Sequence, residues 1–336
     1  MLHYLKDDGE TAVAIMIDGV WHDELEYLAG DESGRFQRKE SVFRAWIEPS
    51  ATAPYPAQPG RYRLYVSLAC PWAHRTLIVR QLKGLEGMIP VTVVDPLMGP
   101  RSWHFSDASG GEPDPELGAS WLYELYLAAD PGFSGVPTVP VLWDSQTRSI
   151  VNNESSEIIR MLNSAFDGVG ARSEVDLYPE NLREAIDAVN SMVYEKINNG
   201  VYRAGFASTQ GAYDEAYDAL FDALDELEQR LAAQRYLCGE RITEADWRLF
   251  TTLIRFDAVY HGHFKCNRQR LSEFPNLWAW TRELYQWPGI AETVDFGHIK
   301  RHYYASHRQI NPSGIVPRGP VLDLMQPHGR DRQFAG

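Results

Sequence analysis

Arg61-Tyr-Arg-Leu-Tyr-Val-Ser-Leu-Ala-Cys-Pro-Trp-Ala-His-Arg-Thr76 is an alternating apolar run that ends in Cys70-Pro71-Trp72-Ala73 and passes into helical spacing. Leu64, Val66 and Leu68 share one face of a strand, whereas Ala73, Leu77, Ile78 and Leu82 recur with the period of a helix. Cys70 is therefore expected at a strand-to-helix junction. Pro71 suits the first helical turn, where its missing N–H costs little, so the sulfur should face unpaired backbone donors and the positive end of the helix dipole. That setting favours thiolate over thiol. A dithiol motif would carry its second cysteine at position 73, which is Ala73. A mixed disulfide formed at Cys70 must then be resolved by a soluble thiol. The bland alternative is a small buried hydrophobe; the strand directly before Cys70 and the proline directly after it favour the reactive reading.

Size and composition set the frame. The 336 residues, 44% of them hydrophobic, suffice for two ordinary domains with cores of their own. A net charge of −14, with no basic stripe to override it, argues against a nucleic-acid partner. The charged opening Met1-Leu-His-Tyr-Leu-Lys-Asp-Asp-Gly-Glu10 does not suit a secretory segment, and no uncharged run reaches the ~18 residues of a membrane span, so a cytoplasmic protein with no membrane partner is expected. Three cysteines, Cys70, Cys238 and Cys266, are too few and too widely spaced for a disulfide scaffold or a zinc module. His261-Gly-His-Phe-Lys-Cys266 has a metal-like look, but both later cysteines read as structural and no metal is expected.

Along the chain, residues 1–60 read as an irregular N-terminal arm ending in Pro49, Pro54, Pro56 and Pro59-Gly60. Residues 61–165 then give a strand, the helix after Cys70, and a second strand at Val91-Thr-Val-Val-Asp95, a βαβ unit with a parallel pair. A long loop over 96–116 carries Trp103 and His104. A helix over Leu117–Ala129, a strand over Val136–Leu142, a turn into Ile150-Val151, and a helix opening at Glu154 follow. The order β-α-β, then α-β-β-α, predicts a thioredoxin-like domain. Pro140 inside a strand pattern is best explained as a cis-proline at the strand's start, which leaves the Val139 backbone groups for a ligand. Over 178–300 the spacing is helical almost throughout, predicting an all-helical domain, with a capping box at Thr243-Glu-Ala-Asp246. Residues 301–336 form a C-terminal extension whose last ~35 residues, with little periodicity, are expected to wrap the surface.

Several strings carry a family resemblance. Ser67-Leu-Ala-Cys-Pro-Trp-Ala-His-Arg-Thr76, Asn198-Asn-Gly-Val-Tyr-Arg-Ala-Gly-Phe206, Arg255-Phe-Asp-Ala-Val-Tyr-His-Gly-His-Phe-Lys-Cys266, His298-Ile-Lys-Arg-His-Tyr303 and Ile310-Asn-Pro312 closely resemble the glutathionyl-hydroquinone reductases, the Xi class of the glutathione transferase superfamily. The resemblance spans roughly residue 40 to the end. It implies an α/β plus all-α chain: a thioredoxin-like N-terminal domain followed by an all-helical glutathione-transferase C-terminal domain, working as a homodimer.

The same resemblance implies an activity. Cys70 thiolate attacks the glutathione sulfur of a glutathionyl-hydroquinone, the hydroquinone leaves, and a second glutathione releases the first as glutathione disulfide. Glutathione is the co-substrate. Its binding residues carry over to Trp103, the Val139 backbone, Glu154 and Ser155; a helix N-terminus with a serine hydroxyl suits a carboxylate and Glu154 suits an ammonium, although the pair could merely cap its own helix. Tyr202, Tyr260 and Tyr303 correspond to the family's hydroquinone-binding tyrosines, with Tyr202 and Tyr303 able to relay the proton the leaving ring carbon needs. They are singled out from seventeen tyrosines by their strings. His74, one turn beyond Cys70, is expected on an exposed helix face. Many family members have an arginine before the cis-proline strand where this chain has Val136; Arg101 or Arg148 are the expected substitutes. The competing classes are an omega-like or lambda-like thiol transferase or dehydroascorbate reductase, and a non-catalytic binding module on the same fold.

Overall fold

The computed structural model describes residues 15–22, 33–36, 38 and 40–334. Its contacts divide these into two compact units: 15–22, 40–174 and 297–316 in the first, and 33–36, 38, 175–296 and 317–334 in the second.

The first unit is built on a four-stranded sheet. Strands β1 (Ile15–Ile17) and β2 (Val20–His22) make a separate antiparallel hairpin. This departs from the irregular arm expected there, and the cause is local: Asp18 and Gly19, at φ 48° and 77°, supply the two left-handed positions that a tight hairpin requires. Met16 then pairs with Gly135 and is fully buried. Strand β3 (Tyr62–Val66), helix α1 (Pro71–Leu82) and strand β4 (Val91–Val93) form the expected βαβ unit, with Leu64 opposite Val91 and Val66 opposite Val93 in parallel register. Helix α2 (Leu122–Ala129), strands β5 (Val141–Asp144) and β6 (Ser149–Asn152), and helix α3 (Ser155–Ser164) complete it. The strand order β4-β3-β5-β6, antiparallel from β3 onward, is the thioredoxin-like arrangement.

Three details differ from expectation, each for a stated reason. Residues 117–121 are not helical, because the Asp114 carboxylate takes the Leu117 and Ala119 N–H groups and Glu124 takes those of Ser120 and Trp121. Strand β5 starts at Val141 rather than Val136, since Pro140 has no N–H to give a ladder. Helix α1 packs along α3 and is buried on nearly every side, so His74 is fully buried instead of exposed. The buried pair Arg61–Asp144, at 2.6 Å, ties the ends of β3 and β5 together.

The second unit is helical: α4 (Arg183–Met192), α5 (Gly200–Gly205), α6 (Gln210–Ala233), α7 (Glu244–Leu253) and α8 (Pro275–Tyr285). Two wide π-helical segments, Val193–Asn198 and Phe256–Tyr260, interrupt the α-helical run. The capping box forms as expected, with Thr243 N–H donating to Asp246 at 2.9 Å and Asp246 also accepting from Leu237 N–H and the Trp280 indole. Burial pushes the Asp246 carboxyl up to about 6 against those donors. Helix α9 (Phe296–Ser306) returns the chain to the first unit. The tail does more than wrap a surface. Arg330 at its short terminal helix α10 (Arg330–Gln333) is fully buried, donating to Glu283 at 2.9 Å and to the carbonyls of Leu231, Gln234 and Arg235. Among the described residues no helix is long and apolar enough to cross a membrane.

Candidate active site

Cys70 is the N-cap of α1, with Pro71 in the first turn. Its Sγ accepts from the Ala73 N–H at 3.5 Å and lies 3.5 Å from the Val139 carbonyl oxygen, which the thiol reaches as donor. The Val139–Pro140 peptide is cis, as the strand pattern implied. A backbone donor and a backbone acceptor therefore meet the same sulfur from two elements, the start of α1 and the residue before β5. The turn leading into it is closed by Ser67, whose carbonyl accepts from Cys70 N–H and whose hydroxyl accepts from Ala69 N–H.

The N-terminus of α3 lies in the same unit. Glu154 is its N-cap: one carboxylate oxygen accepts from Ser156 N–H at 2.9 Å and from the Ser156 hydroxyl at 2.8 Å, and the other accepts from the Ser41 hydroxyl at 3.2 Å. The capping alternative is thus realised in the folded chain. Ser155 is buried, and its hydroxyl accepts at 3.3 Å from Arg75. Sequence reading passed over Arg75. Its side chain is 1% exposed and lies over the Trp72 ring at 4.4 Å, which places a guanidinium directly beneath the first turn of α3. The available signal was a charged residue on a helix whose other positions are mostly apolar, and only the burial of the whole helix gives it meaning. Of the arginines proposed to replace the one missing at Val136, Arg101 donates to the Tyr123 hydroxyl. Arg148 sits in the turn after β5, at the far end of that strand from Val139.

Trp103, from the 96–116 loop, is nearly buried and stacks on His302 of α9, with ring centroids 4.7 Å apart and planes 22° from parallel. The His302 Nδ1 is 3.0 Å from the Pro96 carbonyl, so that nitrogen carries the proton and donates. Tyr303, also buried, meets the rings of His302 and His307 edge-on. His302 lies inside the string His298–Tyr303, but nothing in that string ties it to Trp103, since that partner lies far away in the chain.

The other two expected tyrosines belong to the second unit. Tyr202 on α5 and Tyr260 at the end of the second π-helical segment have centroids 6.1 Å apart, and Phe264 stacks on Tyr260 at 5.5 Å and meets Tyr202 edge-on at 5.4 Å. Gly205 makes this possible. A Cβ there would fall 2.2 Å from the Phe264 ring, so only glycine lets α5 approach.

The remaining cysteines lack the setting of Cys70. Burial pushes the Cys238 thiol up to about 11, and Cys266 is fully buried with its thiol raised further. None of the three cysteines is in a disulfide. No group of His, Cys, Asp or Glu able to hold a metal ion occurs among the described residues.

Comparison with known proteins agrees with this architecture. Residues 69–165 match the glutathione S-transferase N-terminal domain and residues 210–283 its C-terminal domain. The glutathionyl-hydroquinone reductase YqjG of Escherichia coli (strain K12) is 53% identical over 326 residues, covering 95% of this chain and 99% of the relative. Its glutathione-bound structure superposes with a TM-score of 0.87 at 50% identity, over 95% of this chain and 100% of that one. A Xi-class transferase from Natrialba magadii gives a TM-score of 0.88 at 48% identity, over 98% of this chain and 99% of that one. The chain belongs to the Xi class of glutathione transferases, the family of the glutathionyl-hydroquinone reductases.

Proposed function

We propose that this protein removes glutathione from glutathionyl-hydroquinones, using Cys70 as nucleophile and a second glutathione as reductant. The observation that carries the reading is the Cys70 sulfur at the N-cap of α1, 3.5 Å from Ala73 N–H and facing the Val139 carbonyl beside the cis peptide. The helix start stabilises thiolate, and no second cysteine follows at position 73.

The chemistry then runs in two balanced steps. Cys70 thiolate attacks the glutathione sulfur; the new S–S bond forms as the C–S bond to the ring breaks, and the electron pair left on the ring carbon takes a proton. A second glutathione thiolate attacks the mixed disulfide, giving glutathione disulfide and Cys70 thiolate. Tyr202 and Tyr303 supply or relay the proton, and Tyr202, Tyr260 and Tyr303 donate to the hydroquinone oxygens. Trp103, the Val139 backbone, Glu154 and Ser155 hold glutathione. A main-chain N–H of bound glutathione donating to the Val139 carbonyl takes away the acceptor that the resting thiol uses, which frees the sulfur to ionise at the moment it is needed. The protein acts as a cytoplasmic homodimer without metal, nucleic acid or membrane, the dimer being checked by light scattering on the eluted peak.

The deciding experiment is turnover of a glutathionyl-hydroquinone with glutathione, alongside intact mass after exposure to glutathione disulfide. Wild type releases free hydroquinone and gains one glutathione; Cys70→Ser does neither. Undiminished release by that variant removes Cys70 from the reaction. Turnover of dehydroascorbate with no release of hydroquinone makes the protein a thiol transferase instead.

A further inference from the structure

The second unit contains a cavity of about 430 Å³ whose lining includes none of the residues assigned above to glutathione or the hydroquinone. One wall is the short segment carrying Arg35, Phe36 and Arg38; facing it are Arg203 of α5 and Glu215 of α6, with alanines of α6 as the apolar floor. None of these residues belongs to the unit that carries Cys70. Three guanidiniums against one carboxylate make the lining a net cationic surface.

Those charges are arranged for exchange. Arg35 pairs with Glu215 at 2.6 Å and Arg203 with Glu195 at 2.8 Å, but all four side chains are well exposed, and exposed ion pairs are easily traded for another anion. Arg38 is held more firmly. Its Nε donates to Asn199 at 2.9 Å and its guanidinium lies 5.0 Å from the Tyr202 ring centroid and 5.5 Å from that of Phe36. Phe36 is itself stacked on Phe206 at 5.6 Å, so an aromatic wall stands beside a fixed guanidinium. A volume in the range of small-molecule sites, one flat ring, and a planar donor fork match a planar anion.

We propose that this cavity binds an aromatic carboxylate of one or two fused rings, its carboxylate on Arg38 and Arg35 and its ring against Phe36 and the alanine side of α6. The ligand would be sensed by Tyr202, since Arg38 and Phe36 both touch that ring.

The test is calorimetric titration of the full chain with 1-naphthoate, with 1-naphthamide as neutral isostere. One naphthoate binds per chain, the amide binds about tenfold or more weakly, and Arg38→Met weakens naphthoate by a similar factor, as expected for one charge-assisted contact. Ala219→Leu, which fills the cavity from α6, also removes binding while hydroquinone release stays unchanged. Cys70→Ser binds naphthoate as wild type does, so failure of the proposed reaction leaves this result intact. Absence of binding at millimolar naphthoate overturns the proposal, as does equal affinity for the amide. Undiminished binding in Ala219→Leu overturns it too, and that variant decides alone if Arg38→Met fails to fold.

Discussion

In the first unit the Cys70 sulfur is positioned by main-chain groups, Ala73 N–H on one side and the Val139 carbonyl on the other, whereas in the second the Tyr202 ring is positioned by other rings and by the absence of a side chain at Gly205. Backbone landmarks persist when neighbouring side chains change. Ring clusters do not, because close-packed interiors register each added or missing methyl group. Substitutions in the first unit should therefore appear mainly in kinetics, and substitutions in the second mainly in stability.

The largest effect expected from this contrast is at the buried tail anchor. Arg330→Met leaves the buried Glu283 carboxylate with one guanidinium, Arg235, and the Tyr236 hydroxyl, and should lower unfolding free energy by about 3 kcal/mol, read from the urea midpoint. Gly205→Ala comes next. The new methyl would overlap Phe264 and should cost about 2 kcal/mol, with near-ultraviolet dichroism of the aromatic cluster reduced. An unchanged midpoint there would break the contrast, because it would mean the cluster yields as readily as a surface.

A pH experiment sharpens the same point. Burial, with a smaller effect of Lys265, pushes His263 down to about 4 from 6.5, so the folded chain keeps the ring neutral while the unfolded chain protonates it. The stability this group contributes is whole above pH 6.5 and is lost as pH falls towards 4, amounting to about 2 kcal/mol at pH 5. Asp246, raised to about 6, has the opposite sign: its contribution is whole at low pH and shrinks as pH rises through 4 to 6. Comparing His263→Gln with wild type at each pH cancels Asp246; the difference should change between about pH 6.5 and 4 and become constant below that, where the folded and unfolded chains both carry the proton. The smallest effect belongs to the first unit. Arg75→Met, which withdraws the guanidinium beneath Ser155, should raise the KM for glutathione about tenfold, about 1.4 kcal/mol, with kcat nearly unchanged. Equal falls in kcat and kcat/KM, with KM unchanged, would assign Arg75 to the reaction step.

Much of the site was legible because its signals are local. A strand pattern running into Cys70-Pro71, a proline at a strand's start, and Thr243 three residues before Asp246 each describe a few consecutive residues, and each formed as read. The hairpin at Asp18-Gly19 was equally local and was missed, its strands being only three residues long. The helix expected from Leu117 failed for a different reason: Asp114 lies outside the window yet takes the N–H groups the helix would need.

The amino-acid sequence by itself determined where the Cys70 sulfur stands and which layout of strands and helices surrounds it, since backbone hydrogen bonding and side-chain periodicity act between near neighbours. Tertiary structure alone decided that His74 is buried, that Arg75 serves Ser155, that His302 backs Trp103, and that Arg330 closes the tail onto Glu283. Each of those outcomes depends on a partner distant in the chain. Burial and pairing of a charge are settled only when such partners meet, because the cost of removing it from water is offset by groups its own segment does not contain.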